Sequence, residues 1–337
     1  MESRMSNLYS RPAPTTSEEV TVLRRRSVLI AETSAQQRSF GHRRSGHQPH
    51  GPISRRDPDK DSLMATLQVN GATVAYTDTG APTGRPDAPT VVFGHGLLFS
   101  GWMFHPQIEV LRRRYRCVTL DWRGQGDSPA TSSGYDMDTL AEDAAALIKE
   151  LGLAPVHFVG LSMGGFVGQR LAARRGELLR SLSLLDTSAD EEDPAEAKRH
   201  RLLASVYRVV GITPVRRQVL PLMFGAPFLS SPASEPLVRE WTRRLRRCDR
   251  AGIRKAVLGV ANRVPVRDEL RNIALPTLVV VGEADVATPP ARAERIAAGI
   301  DGARLEVVPD AGHTSTLEQP AIVNSLLEDF LTSVDER

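Results

Sequence analysis

One serine in this chain has neighbours that suit it for chemistry. Gly160-Leu161-Ser162-Met163-Gly164-Gly165 directly follows the apolar run VHFV and opens the helical pattern FVGQRLAARR. A strand that turns this sharply into a helix forces its central residue into an uncommon backbone conformation, and glycines on both sides leave room for it. The hydroxyl is thereby raised at the carboxyl edge of a sheet. The helix amino terminus beneath it favours negative charge, and the N–H of Met163 points to where an oxyanion would develop. The competing reading is a glycine-rich turn carrying an inert serine.

A serine hydroxyl needs a base, and the base needs an acid to orient it. Asp310-Ala311-Gly312-His313 follows the apolar run at 305–308, which places His313 at the same sheet edge. Of the eight histidines, His42, His47 and His50 lie near the amino terminus and His200 lies in a polar run. His105 and His157 read as edge or packing residues. For the acid, Asp285 lies just past the run LVVV in the loop GEAD, with Asp186 and Glu283 as competitors. Gly94-His95-Gly96-Leu97 follows the run TVVF, and the glycines let the backbone bend so that the N–H of Leu97 becomes a second oxyanion donor. His95 reads as a loop-shaping residue, and the charges of Asp121-Trp122-Arg123-Gly124-Gln125-Gly126-Asp127-Ser128 read as ties within a turn beside the site.

Positioning these residues requires strands and helices in alternation. Short apolar runs at 67–69, 74–76, 91–93, 117–120, 156–159, 182–185, 278–281 and 305–308 predict eight strands. The first two are hinged at Asn70-Gly71, a pair suited to positive φ. Between 139 and 151, Leu140, Ala144, Leu147, Ile148 and Leu151 recur at helical spacing and Gly152 stops the pattern. The fold class is therefore α/β, a mostly parallel eight-stranded sheet flanked by helices. Alternation breaks at 188–272, where helical patterns and turn breakers carry 17 Lys or Arg against 10 Asp or Glu, the pattern of a helical insertion over the sheet. The expected organisation is a disordered basic extension at 1–63, core at 64–187, insertion at 188–272 and core again at 273–337. Because MATLQVNG reads as a folded beginning, Met64 is also a candidate true start.

Composition excludes several functions. With 41% hydrophobic and 25% charged residues over 337 positions, the chain fits a globular protein. No apolar run reaches the roughly 18 residues of a membrane span, so no membrane partner and a cytoplasmic location are expected. Two cysteines, Cys117 and Cys248, cannot form a structural metal site, and neither metal nor other cofactor is expected. The net charge of +3 gathers at 1–63, which holds 11 Lys or Arg against 7 Asp or Glu, while the remainder holds 32 against 33. Nucleic acid is therefore not an expected partner.

The motifs HG at His95, DWRGQGDS from Asp121, GLSMGG from Gly160, GEAD ending at Asp285 and AGH ending at His313 resemble those of the alpha/beta-hydrolase superfamily, from Met64 to the end. The resemblance implies Ser162 as nucleophile, Asp285 as acid, His313 as base, Leu97 and Met163 as oxyanion donors, and the insertion as a helical cap. Within the superfamily the likeness is to carboxylesterases, 3-oxoadipate enol-lactonase and cofactor-free haloperoxidases. It implies a small-molecule ester or lactone substrate and no cofactor. A ligand receptor on the same fold and an acyltransferase or haloperoxidase are the rival functions. In the insertion, a helix over 237–248 turns Leu237, Val238, Trp241, Leu245 and Cys248 inward. Arg244 lies at the edge of that face, where it either pairs with a neighbouring acid or lines the pocket and binds a substrate carboxylate, with Trp241 as a further substrate contact.

Overall fold

The computed structural model describes residues 63–337, so the extension expected at 1–63 lies, apart from Leu63, outside the described residues. Strands β1 (Leu63–Val69) and β2 (Ala72–Asp78) form an antiparallel hairpin across Asn70 and Gly71, at φ of 46° and 74°. There follow β3 (Thr90–Gly94), helix α1 (His105–Leu111), β4 (Arg116–Leu120), α2 (Met137–Glu150), β5 (Val156–Leu161), α3 (Met163–Arg174) and β6 (Leu179–Leu185). After the insertion come β7 (Thr277–Gly282), a helix at Pro290–Gly299, β8 (Arg304–Val308), a short helix at Ser315–Glu318 and a terminal helix at Pro320–Asp335.

All eight strands join one sheet in the order β1-β2-β4-β3-β5-β6-β7-β8, with β3 to β8 parallel and β2 antiparallel to β4. The central strands are apolar on both sides because helices cover both faces, as parallel crossovers require. One face packs Val92, Phe158 and Val279 against α2 and α3. The other packs Val91, Phe93 and Val280 against the terminal helix and the insertion. The helix expected to begin at 139 starts two residues earlier, because Asp136 accepts the N–H of Thr139 at 2.8 Å and caps it.

The insertion is helical throughout: α4 (Pro194–Val210), α5 (Ile212–Met223), α6 (Ala226–Ser230), α7 (Glu235–Leu245) and α8 (Arg250–Ala261). Asp193 and Asp249 cap α4 and α8 through the N–H groups of Ala195 and Gly252. Tyr207, Val215, Val238 and Trp241 belong to the same apolar cluster as Val91 and Phe93, so the insertion shares its core with the sheet.

Candidate active site

Ser162 sits between β5 and α3 at φ 53° and ψ −111°, a region that costs a non-glycine residue about 1–3 kcal/mol. Its N–H donates to Leu185 O at 2.9 Å and its carbonyl accepts from Thr187 Oγ1 at 2.8 Å, so β6 and its exit hold the strained turn. A Cβ on Gly160 would meet Gly164 O at 2.3 Å, and one on Gly164 would meet Gly94 O at 1.9 Å. Only hydrogen fits at either position. Met163 opens α3, where a first-turn N–H has no acceptor within the helix.

His313 leaves β8 on the loop expected from sequence. Its Nε2 lies 2.8 Å from Ser162 Oγ and its Nδ1 lies 2.9 Å from Asp285 Oδ2. Asp285 also accepts from Ala287 N at 2.8 Å, Thr288 N at 3.0 Å and Thr288 Oγ1 at 2.7 Å. Burial pushes the Asp285 carboxyl up, but the charge of His313 and the bonds from His313 and Thr288 outweigh it and hold the group below its ordinary range. Burial lowers the pKa of His313, while the charge of Asp285 and its hydrogen bond raise it; the net is a raised value.

The two competing acids lie elsewhere. Glu283 is exposed. Asp186, at φ 46°, is buried and accepts Gly282 N at 2.8 Å, Ser315 N at 3.2 Å and Ser315 Oγ at 2.5 Å, so it joins the acid-bearing and base-bearing loops without bonding the imidazole. Burial and the neighbouring Asp285 carboxylate push Asp186 well above the ordinary carboxyl range. Glu318 was not anticipated. Its carboxylate accepts Gly312 N at 2.8 Å, Thr314 N at 3.0 Å and Gly225 N at 3.0 Å, fixing the residues on either side of His313 and tying them to the insertion.

Leu97 follows the bend made by His95 and Gly96, and among the described residues no acceptor takes its N–H. The next residue is held from two sides: Leu98, at φ 67°, donates its N–H to Gln125 Oε1 at 2.9 Å and accepts from Trp241 Nε1 at 3.2 Å. His95 shapes this loop. Its Nδ1 donates to Gly96 O at 2.8 Å and its Nε2 accepts Trp122 N–H at 3.0 Å, while burial lowers its pKa to about 3 and keeps it neutral. Asp121 ties the turn by accepting Gly101 N at 2.8 Å and Asp127 N at 2.9 Å.

Ser162 and His313 open on a cavity of about 150 Å³ walled by Leu98, Phe166, Leu203, Val219, Met223 and Val257 among others. Glu192, Glu196, His200 and Arg263 supply most of its remaining polar lining. In the sequence His200 reads only as part of a polar run, although Glu196 and His200, four residues apart, share a helix face. Arg263 Nη1 pairs with Glu192 Oε2 at 2.9 Å, and its guanidinium lies 4.4 Å from the Phe166 ring centroid.

The two expected substrate contacts in the insertion are not among the residues lining this cavity. Arg244 lines a separate recess with Tyr76, Trp102 and Asp121, where its Nε pairs with Glu240 Oε1 at 2.5 Å and its guanidinium lies 5.1 Å from the Trp102 ring centroid. Trp241 is buried against Phe99 and Phe224, where its ring fills the space between α7 and the core, and it reaches the site only through Leu98.

This fold and this arrangement at its carboxyl edge define a hydrolase class, and the chain belongs to the alpha/beta hydrolase fold family, whose model matches residues 89–320. It is 29% identical over 270 residues to 3-oxoadipate enol-lactonase 2 of Acinetobacter baylyi, covering 80% of this chain and 95% of that one. It is 30% identical over 258 residues to the AB hydrolase superfamily protein YisY of Bacillus subtilis, covering 74% and 92%. Among solved structures, the enol-lactonase of Burkholderia xenovorans superposes with a TM-score of 0.73 at 28% identity, over 80% of this chain and all of that one. A thermophilic esterase of Thermogutta terrifontis gives 0.72 at 29% identity, over 81% and 98%.

Proposed function

We propose that this protein is a serine hydrolase that cleaves a carboxylic ester or lactone of a small molecule through an acyl-enzyme. Ser162 attacks the carbonyl while His313 Nε2 takes its proton, Asp285 holds the imidazole by Nδ1, and the N–H groups of Leu97 and Met163 receive the tetrahedral oxyanion. His313 then gives the proton to the leaving oxygen as the acyl–oxygen bond breaks. Water, deprotonated by His313, attacks the acyl carbon in turn, and the proton returns to Ser162 as the acid departs. Residues 188–272 act as the cap over this chemistry, which uses no cofactor.

The observation that carries this reading is the unbroken pair of hydrogen bonds, 2.9 Å and 2.8 Å, from Asp285 through His313 to Ser162 at an apolar cavity. Relatives named as esterase and enol-lactonase support the ester and lactone class. The cavity favours a neutral, apolar acyl group. Its one arginine is committed to Glu192, and Glu192 and Glu196 add negative charge to the same wall, so a substrate carboxylate would be desolvated beside like charge.

A fluorophosphonate probe is expected to label Ser162 alone, and Ser162→Ala to abolish both labelling and ester turnover. Persistence of either would put the nucleophile elsewhere. In a series of p-nitrophenyl esters, adding a terminal carboxylate should lower kcat/KM by at least about tenfold. Equal or better turnover of the acidic ester would overturn the substrate reading while leaving the nucleophile intact.

A further inference from the structure

Helix α4 is apolar on two separate faces. One face presents His200, Leu203, Ala204 and Tyr207 to the cavity. The other leaves Leu202, Val206, Val209 and Val210 in solvent, at 66%, 36%, 74% and 53% exposure. These are four of the eight large apolar side chains exposed among the described residues. Their spacing of four, seven and eight residues from Leu202 makes them one stripe along the helix. Val286, which lines the cavity, is itself 61% exposed, so the cavity reaches solvent beside an apolar rim.

The charge beside the stripe is mainly positive, although the acids at 190–193 lie just before α4. From Pro194 to Met223, across α4 and α5, there are six Lys or Arg and one acid, Glu196. Lys198, Arg199, Arg201, Arg208 and Arg217 are exposed. Glu196 offsets Arg199 at 3.3 Å, whereas Arg201 bonds the neutral amide of Asn262 and keeps its charge uncompensated there. An exposed apolar stripe within a strongly basic surface suits a phase that is apolar inside and anionic at its boundary. A second copy of this chain docking face to face would bring the same positive charges together.

We propose that the outer face of α4, with the adjoining arginines of α5, docks on an anionic lipid surface. The helix lies in the plane of the headgroups, with Leu202, Val206 and Val209 below them and Lys198, which flanks the stripe, and Arg217 at phosphate level. This is peripheral contact, since none of the described helices is long and apolar enough to cross a membrane. It departs from the expectation from sequence that a membrane is no partner, and vesicle binding decides between the two.

The test is flotation of the full chain with phosphatidylcholine vesicles and with vesicles containing phosphatidylglycerol, at low and at physiological salt. Two variants accompany it, Leu202→Glu/Val209→Glu and Lys198→Glu/Arg217→Glu. Wild type should float with the anionic vesicles, more at low salt, and each variant should bind at least about tenfold more weakly. Melting temperature and fluorophosphonate labelling should match wild type in both variants, so a loss of binding is not a loss of fold or of the serine site. Absence of wild-type binding, or equal affinity for pure phosphatidylcholine, would overturn the proposal. Equal binding by wild type and both variants would also overturn it and assign binding to the basic residues 1–63. A concentration-dependent dimer in sedimentation, abolished by Leu202→Glu/Val209→Glu, would give the face to a second copy instead.

Discussion

At the scale of single residues, His313 is pulled two ways, since burial opposes its charging and Asp285 favours it. Asp285 wins, which places the pKa above the ordinary histidine value of about 6.5. A base must be neutral to accept the serine proton, so activity falls as pH falls through that raised value. The acid limb of kcat/KM for a neutral ester should therefore have its midpoint above about 6.5; a midpoint below it would mean that burial outweighs Asp285. Asp285→Asn should lower kcat by roughly 10⁴-fold, because an amide neither holds the needed tautomer nor stabilises the imidazolium. Asp186→Asn should cost far less, since Asp186 bonds Gly282 and Ser315 and not the imidazole. Reversed magnitudes would exchange the roles of the two aspartates. Sequence made Ser162 and His313 legible because a strand-to-helix turn and a strand-end loop leave local signatures. Asp186 and Asp285 both follow strands, and only the motif GEAD favours Asp285 in the sequence; in the fold the direction each side chain takes separates them.

At the scale of elements, α7 shows what periodicity can and cannot say. Its spacing turned Val238, Trp241 and Leu245 inward, and all three are buried, with Arg239 and Arg243 in solvent. What the inward face meets includes residues of the loop after β3, more than 100 positions away, so the same pattern served equally for a pocket wall and for a packed core. Trp241 meets Phe99, Phe224 and the carbonyl of Leu98. It thereby couples the insertion to the loop that presents Leu97. Trp241→Phe keeps an aromatic ring, though a smaller one, and removes the N–H, so Leu98 loses one of its two tethers while Gln125 retains the other. Displacement of the Leu97 donor should lower kcat by about 10- to 100-fold with little change in KM. A matching rise in KM with kcat unchanged would instead make Trp241 part of substrate binding. The polar wall of Glu192, Glu196, His200 and Arg263 was not legible, because it forms only when α4 and the end of α8 meet over β5 and α3.

At the scale of the whole molecule, the question is whether residues 188–272 are a separate unit, as the break in alternation suggested, or part of one body. Two features favour one body. The insertion and the sheet share an apolar cluster, in which Tyr207, Val215 and Trp241 join Val91, Phe93 and Val280. Helix α8 also closes on the loop after β4 with no intervening space: a Cβ on Gly259 would meet Tyr135 O at 1.9 Å, and one on Gly252 would meet Gly124 Cα at 2.9 Å. Unfolding should therefore be a single cooperative step, with far-UV circular dichroism and tryptophan fluorescence following one transition. Fluorescence is informative because Trp102 and Trp122 report on the core and Trp241 on the insertion. Gly259→Val, which forces α8 away from Tyr135, should cost about 1–3 kcal/mol and lower Tm for both probes together. If fluorescence melted first in wild type, or if Gly259→Val split one transition into two, the insertion would be an independently melting unit whose contacts with the sheet contribute little to the stability of either.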